Sequence, residues 1–300
     1  MPEAHLDPKH VGILMRSHAK YAVRGGSGLT FVLMVVLLGL VVASLLIDPI
    51  EDLRKDMERT SGRDFPRAQF IAMVVENATP LVRFWVGAPE GDPQIPHLLN
   101  EKPALLSVMF LILLAFEPFV MAFGAFNQLS GDIANRGLRY LLLRTSRLNI
   151  VISRLLGTFL FSAVTSFFTI AVIVAFLATR FEIYPLGDLV TWGLWGWGAI
   201  NVFSLPYLAL CTWISTTIAS PFAALAISQL AIGIPIVLLK YAKRPEFGNT
   251  EWLERLTPWG WKTDLLHPDL AKVGLAAAVM IGFFLLFAFL GARHFLKRDL

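Results

Sequence analysis

The sequence predicts an all-α membrane protein with six transmembrane helices, an N-terminal interfacial helix, a cytoplasmic amphipathic helix and extracytoplasmic helical insertions. Three observations predict it. Of 300 residues, 56% are hydrophobic and only 16% are charged, against about 45–50% apolar in a soluble domain. The apolar residues are bunched into stretches of about twenty, the length that crosses a hydrocarbon core. The charges are sorted as well: with both termini placed inside, the inner segments carry about +8 and the outer segments about −3, and Glu117 is the remaining acid in the net +4. That sign obeys the positive-inside rule. The whole chain, 1–300, reads as one transmembrane domain.

Residues 1–27 are polar. If Pro8 starts a helix, Lys9, Arg16, Lys20 and Arg24 form one stripe, while Val11, Leu14, Met15, Tyr21 and Ala22 face away. Such a helix lies flat on the cytoplasmic leaflet. His18 falls on its apolar side and reads as structural. The apolar run begins late and has no small-residue cleavage site after it, so no signal peptide is expected. The first span is expected at 28–47, uninterrupted by charge.

Residues 48–103 form the largest polar insertion. It opens with IEDLRKDMER, which pairs charges at helical spacing. FIAMVVENATPLVRFW, residues 70–85, carries Glu76, Asn77, Pro80 and Arg83 through its middle, so it reads as a helix on the outer membrane face and not as a span. GAPEGDPQIP reads as a loop. The second span, 104–126, contains Glu117 followed by Pro118. A carboxylate at that depth costs about 3 kcal/mol unless protein or water surrounds it. Two readings stay open for Glu117: a residue of a translocation path, or a protonated structural acid.

Between spans two and three lies QLSGDIANRGLRYLLLRTSRLNIVISRLLG, residues 128–157, with five arginines and one acid. On a helix of about 100° per residue, Arg136, Arg139, Arg144, Arg147 and Arg154 fall within an arc of roughly 140°, opposite Leu138, Leu141 and Leu142. The cytoplasmic helix is placed at 127–149. The third span, 150–179, carries Ser162, Thr165, Ser166 and Thr169, a spacing that marks helix contacts. The long apolar stretch that follows divides at residues 215–221 into a fourth span, 189–214, and a fifth, 221–239, because Pro221 supplies a helix start. Trp192, Trp195 and Trp197 read as an aromatic belt at the outer end of the fourth span, with a ligand-stacking site as the second reading. Glu117, Asn201 and Gln229 are polar groups that lipid does not satisfy, so they are assigned to a substrate path facing a second subunit. Residues 240–270 form an outer segment in which EWLERLTPWGWKTDLL suggests an interfacial helical hairpin. The sixth span, 273–292, ends in the basic RHFLKRDL.

The 128–157 stretch resembles the first cytoplasmic loop of ABC-2 type transporter permeases, the membrane subunits of ABC exporters. The resemblance rests on Asp132, then Gly137, Leu138 and Arg139, the run Leu141 to Leu143, then Thr145, Ser146 and Arg147, and finally Arg154 and Gly157. Asp132 stands where the family more often has Glu, a threonine is missing after Gly137, and Arg154 replaces a common Lys. The resemblance implies a permease in the bacterial cytoplasmic membrane. It also implies two copies of a separate ABC ATPase subunit and a second permease subunit, identical or paralogous. Asp132, Arg136, Arg139, Arg144 and Arg147 would couple to the ATPase, and ATP and Mg would be bound by that partner, with no cofactor on this chain.

No GxxxxGK[ST] loop, HExxH, CxxC or GxSxG occurs. Cys211, the sole cysteine, lies in an apolar segment, so no intrachain disulfide forms. His97 and His267 both neighbour prolines in outer loops, a thin basis for a metal site. The basic balance follows membrane topology, and no nucleic-acid partner is expected. Besides the permease, a membrane-embedded enzyme acting on lipid and a non-transporting scaffold remain as alternatives.

Overall fold

The computed structural model describes residues 7–24, 26–61, 67–87, 91–135, 137–180, 184–242 and 251–298. Helix α1 spans Pro8–Arg24, α2 Gly26–Ser61 and α3 Arg67–Val86. The short α4, Gln94–Pro96, runs into a π-turn at His97–Glu101 and then α5, Ala104–Ala125. Two short helices follow, α6 at Ser130–Ala134 and α7 at Gly137–Leu142. The long helices α8, Arg147–Arg180, α9, Leu186–Thr217, and α10, Pro221–Ala242, come next. Helix α11 is Glu251–Arg255, succeeded by 3-10 turns at Pro258–Trp261 and Thr263–Leu266, and α12 is Leu270–Lys297. No strand occurs among the described residues.

Five of these helices, α5, α8, α9, α10 and α12, are long and apolar enough to cross a membrane. The chain is an all-α, multi-pass membrane protein. The expected first span lies on α2, whose apolar stretch among the described residues, Gly28–Val41, is shorter. Helix α2 continues from it into IEDLRKDMER, so its 36 residues rise about 54 Å, well past a hydrocarbon core of about 30 Å.

Local chemistry sets the helix starts. Pro8 takes the first position of α1, where its missing N–H costs nothing, and the Asp7 carboxylate accepts from the Lys9 N–H at 2.9 Å. Pro221 opens α10 in the same way after Ser220, whose hydroxyl accepts from Ala223. The Asp269 carboxylate caps α12 at the Ala271 N–H, 2.9 Å away. The segment Glu251–Leu266 forms one short helix and two 3-10 turns instead of the expected hairpin. Pro258 and Gly260 interrupt it, and the Gly260 position lies against the Glu254 carbonyl, where a longer helix cannot continue.

Burial ranks the helices. The apolar window of α5 is 78% buried and that of α9 72%, against 17% for α10 and 11% for α12. Helices α5 and α9 are therefore the centre, and the others surround them. They approach closely because Gly196 of α9 faces the ring of the fully buried Phe110, where a Cβ would lie 2.2 Å from ring atoms. Small residues at crossings are how membrane helices gain packing without a hydrophobic drive between them.

The Trp192, Trp195 and Trp197 indoles all bond within the protein; Trp192 is buried, while Trp195 keeps 39% of its surface exposed at the expected belt position. Trp192 donates to Ser107 Oγ at 3.0 Å, Trp197 to the Ala163 carbonyl at 2.9 Å and Trp195 to the Leu265 carbonyl at 3.2 Å. An indole N–H facing helices instead of headgroups must find a protein acceptor, and each does. Ser162, Thr165, Ser166 and Thr169 are all buried; Ser166 Oγ reaches Asn201 on α9, and the hydroxyls of Thr165 and Thr169 bond carbonyls of their own helix.

The Gly196–Phe110 contact makes a test. Gly196→Val forces atoms into the Phe110 ring, and overpacking of this kind costs about 1–3 kcal/mol. The expected result is a lower thermal unfolding midpoint in detergent that Phe110→Ala partly restores; a midpoint unchanged by Gly196→Val would contradict the packing.

Candidate functional site

The segment joining α5 to α8 is anchored before it projects. The Gln128 amide oxygen accepts from Thr212 Oγ1 at 2.8 Å. The backbone N–H groups of Leu129 and Ser130 both donate to Ser215 Oγ at 3.0 Å. Those donors belong to the start of α6 and have no intrahelical acceptor, so a hydroxyl from α9 caps them. Gln128 Nε2 is the single buried side-chain nitrogen or oxygen without a partner among the described residues.

The expected amphipathic helix over 128–157 is not continuous. Helix α6 ends at Ala134, α7 covers Gly137–Leu142, and turns separate α7 from α8. Polar residues cause the second break: Thr145 and Ser146 precede α8, and Ser146 Oγ accepts from the Asn149 N–H at 3.4 Å as a helix-start cap. Arg147 therefore begins α8 instead of ending the cytoplasmic helix. Arg136 lies outside the described residues.

The arginines consequently divide. Asp132 on α6 pairs with Arg154 on α8, Nη2 to Oδ2 at 2.5 Å. Arg147 Nη1 donates to the carbonyls of Phe295, Leu296 and Arg298, at 3.2, 2.9 and 2.6 Å. Those carbonyls finish α12, where a cation also complements the helix dipole. Arg298 in turn donates to the Thr216 carbonyl at the end of α9. Arg139 and Arg144 are exposed. Of the expected coupling residues, Asp132 and Arg147 are thus structural ties, and Arg139 and Arg144 remain on the surface.

The leucine face is consumed inside. Leu129, Leu138, Ile150, Val151 and Phe295 form a small buried core, with Leu141 and Leu142 packed against it. What projects is Tyr140, 76% exposed, and Leu143, 84% exposed, between Arg139 and Arg144. Sequence periodicity singled out neither, because it ran one helix through residues 127–149, whereas α7 ends at Leu142 and leaves Leu143 in a turn.

Helix α1 packs on α8 beside this site. His18 Nε2 lies 3.0 Å from Thr158 Oγ1, and Arg154 contacts His18 Nδ1. An arginine only donates, so Nδ1 accepts and Nε2 carries the proton, which makes the ring neutral. Burial, and then the charge of Arg154, push the His18 pKa down to about 4 from 6.5. The Asp7 N–H adds a bond to Asn149 Oδ1 at 3.1 Å.

The expected path residues share no hydrogen bond. Among the described residues no hydrogen bond or ion pair joins any two of Glu117, Asn201 and Gln229. Asn201 donates to the Trp197 carbonyl at 2.8 Å and Gln229 to the Phe119 carbonyl at 3.1 Å, so each amide nitrogen has an acceptor within this chain. Glu117 differs: it is 9% exposed, and no partner accepts or donates to it among the described residues.

At the opposite end of the bundle lies a cleft of about 370 Å³ where α5, α9 and α12 begin. It brings together His97 and His267, along with Lys102, Asp188, Thr191 and Trp195. His97 Nδ1 lies 2.7 Å from Glu101. His267 Nδ1 accepts from the Asp269 N–H at 2.9 Å, and its Nε2 lies 3.0 Å from Lys272 Nζ. Burial and then Lys272 hold the His267 imidazole below its ordinary pKa. No group of three or more His, Cys, Asp or Glu side chains among the described residues is placed to hold a metal ion. The signal that could have found this cleft is positional: Lys102, Asp188 and His267 each precede an expected span start on one membrane face.

No protein-family model matches the chain, and no curated protein compared with it matches.

The neutral His18 makes α1 docking pH-dependent. Its folded pKa lies below the ordinary 6.5, so between pH 6.5 and about 4 the undocked state binds a proton that the docked state does not. Docking is complete above pH 6.5 and weakens as pH falls through that window. A spin label at Ser17, an exposed position, should gain mobility on acidification, and His18→Gln should flatten the response. Equal pH profiles for both proteins would contradict the assignment.

Proposed function

We propose that this chain is the membrane-spanning permease subunit of an ATP-driven ABC-2 type exporter. In this reading it has six spans and both termini in the cytoplasm of a bacterial cell. It works beside a second permease subunit and two copies of an ABC ATPase that bind ATP and Mg. The net positive charge of the segments at the α1 and α6–α7 end supports the orientation.

One observation carries the reading. The projecting turn offers Tyr140 and Leu143, both more than three-quarters exposed, flanked by Arg139 and Arg144, while its base is tied to α8, α9 and α12. A membrane anchor would spend its leucines on lipid; here they fill an internal core, and an aromatic and an aliphatic tip with basic flanks suits an acidic-rimmed pocket on a protein. Force applied to the tip passes through Asp132–Arg154 and the Ser215 cap into α8 and α9. Glu117, set in α5 beside Pro118 and without a hydrogen-bond or ion-pair partner among the described residues, is the residue assigned to the substrate path.

Two measurements test this. In the complex purified from native membranes, Leu143→Asp and Arg139→Glu should each lower ATPase co-purification and turnover by about tenfold, the scale of losing a hot-spot side chain. A control, Lys297→Gln, should not. Equal and mild effects at all three positions would leave only a lipid anchor. For orientation, cysteines at Asp52 and Leu256 should react with an impermeant maleimide in intact cells, and one at Arg144 only after permeabilisation. Cys211 is fully buried and silent in this assay. The reverse labelling pattern would overturn the orientation.

A further inference from the structure

The cleft at the α5, α9 and α12 starts is independent of the transport reading, and its chemistry is particular. Asp188 is exposed, and its carboxylate has no hydrogen-bond or ion-pair partner among the described residues. Lys102 has no carboxylate partner there either; its ammonium sits over the Trp192 ring, 5.3 Å from the centroid. Trp195 lines the same cleft with 39% of its surface exposed. One free anion, one free cation and one open indole thus share a cavity, and Glu101 is already occupied by His97.

Depth narrows the ligand. Helix α5 has 22 residues, so it rises about 33 Å and matches one hydrocarbon thickness. Its first residue, and with it Lys102, then stands at headgroup level. The cleft lining includes Leu270, 69% exposed at the start of α12, so an aliphatic surface lies beside the polar groups. A volume of about 370 Å³ lies at the small end of ligand sites; it suits a headgroup with part of a glycerol and excludes whole acyl chains.

We infer that this cleft binds the headgroup of a zwitterionic aminophospholipid, with the phosphate on Lys102 and the primary ammonium on Asp188 against the face of Trp195. An ammonium donates N–H bonds to the carboxylate and also gains from the indole quadrupole. A trimethylammonium group has no N–H for Asp188, and a single exposed indole is not the aromatic cage that would compensate. A glycerol headgroup, as in phosphatidylglycerol, carries no cation to set against Asp188. The partial positive ends of α5, α9 and α12 add to Lys102 in favouring the phosphate.

The test uses the full chain, delipidated in detergent and given an equimolar micellar mixture of phosphatidylethanolamine, phosphatidylcholine and phosphatidylglycerol, with bound lipid counted by native mass spectrometry. Phosphatidylethanolamine should exceed each of the others by about tenfold, the equivalent of one charge-assisted hydrogen bond. Asp188→Asn and Lys102→Gln should each remove that preference. Both replace side chains outside the core, and an unchanged thermal midpoint will show that they fold; Lys297→Gln, at the other end of the bundle, should keep the preference. Equal occupancy by the three lipids would overturn the inference, as would a preference that survives both cleft variants. Complete displacement by soluble glycerophosphoethanolamine at equal concentration would overturn the membrane-lipid source in favour of a soluble zwitterion. Conversion of the bound lipid to a species of new mass would replace a binding site with a catalytic one built on His97 and His267.

Discussion

Inside a bilayer no polar group can be left to the solvent, and this constraint organises the bundle. The Trp192 indole and Ser107 satisfy each other across α5 and α9. Trp197 is held by a carbonyl of α8, and Gln229 of α10 by a carbonyl of α5. Each such bond fixes a helix in both depth and rotation, because a displaced donor would face hydrocarbon at a cost of several kcal/mol. Apolar packing supplies the mass of contact. The polar pairs select which packing is unique.

The two ends of the bundle solve different problems with the same helices. At one end, the carbonyls finishing α9 and α12 are closed by Arg298 and Arg147, and the start of α6 is closed by Ser215. That makes a rigid plinth under a short exposed turn. At the other end, α5, α9 and α12 all begin, so helix N-termini, Lys102 and Asp188 gather around an open cleft. Helix α9 is common to both and, with α5, the most buried of the spanning helices. A displacement of the plinth therefore reaches the cleft along one element, without an intermediate joint other than Pro206.

Asp132 and Arg154 illustrate how one pair serves several parts. Their contact ties α6 to α8, and Arg154 also faces His18, which draws α1 onto the same surface. The side chains are only partly exposed, 33% and 18%, so the pair is screened less than a surface salt bridge. The neutrality of His18 follows from this geometry, since its acceptor nitrogen points at a guanidinium.

The sequence by itself determined the class, the helical content and the approximate place of each long apolar helix, because those depend on local hydropathy and on breakers such as Pro221 that act within a few residues. It also identified the 128–157 stretch as distinctive from its arginines and leucines. Only the tertiary structure decided what those residues do. Periodicity treats 128–157 as one helix with one polar arc, yet Arg147 and Arg154 found acceptors on α12 and α6, and Leu138 found a core. Trp192 of α9 turned inward for the same reason. Gln94 meets the Thr263 carbonyl across 169 residues of sequence, and His97 and His267 come to one cleft through that same docking. Partners so distant leave no trace in local pattern, because the free energy that pairs them arises only after the helices have packed.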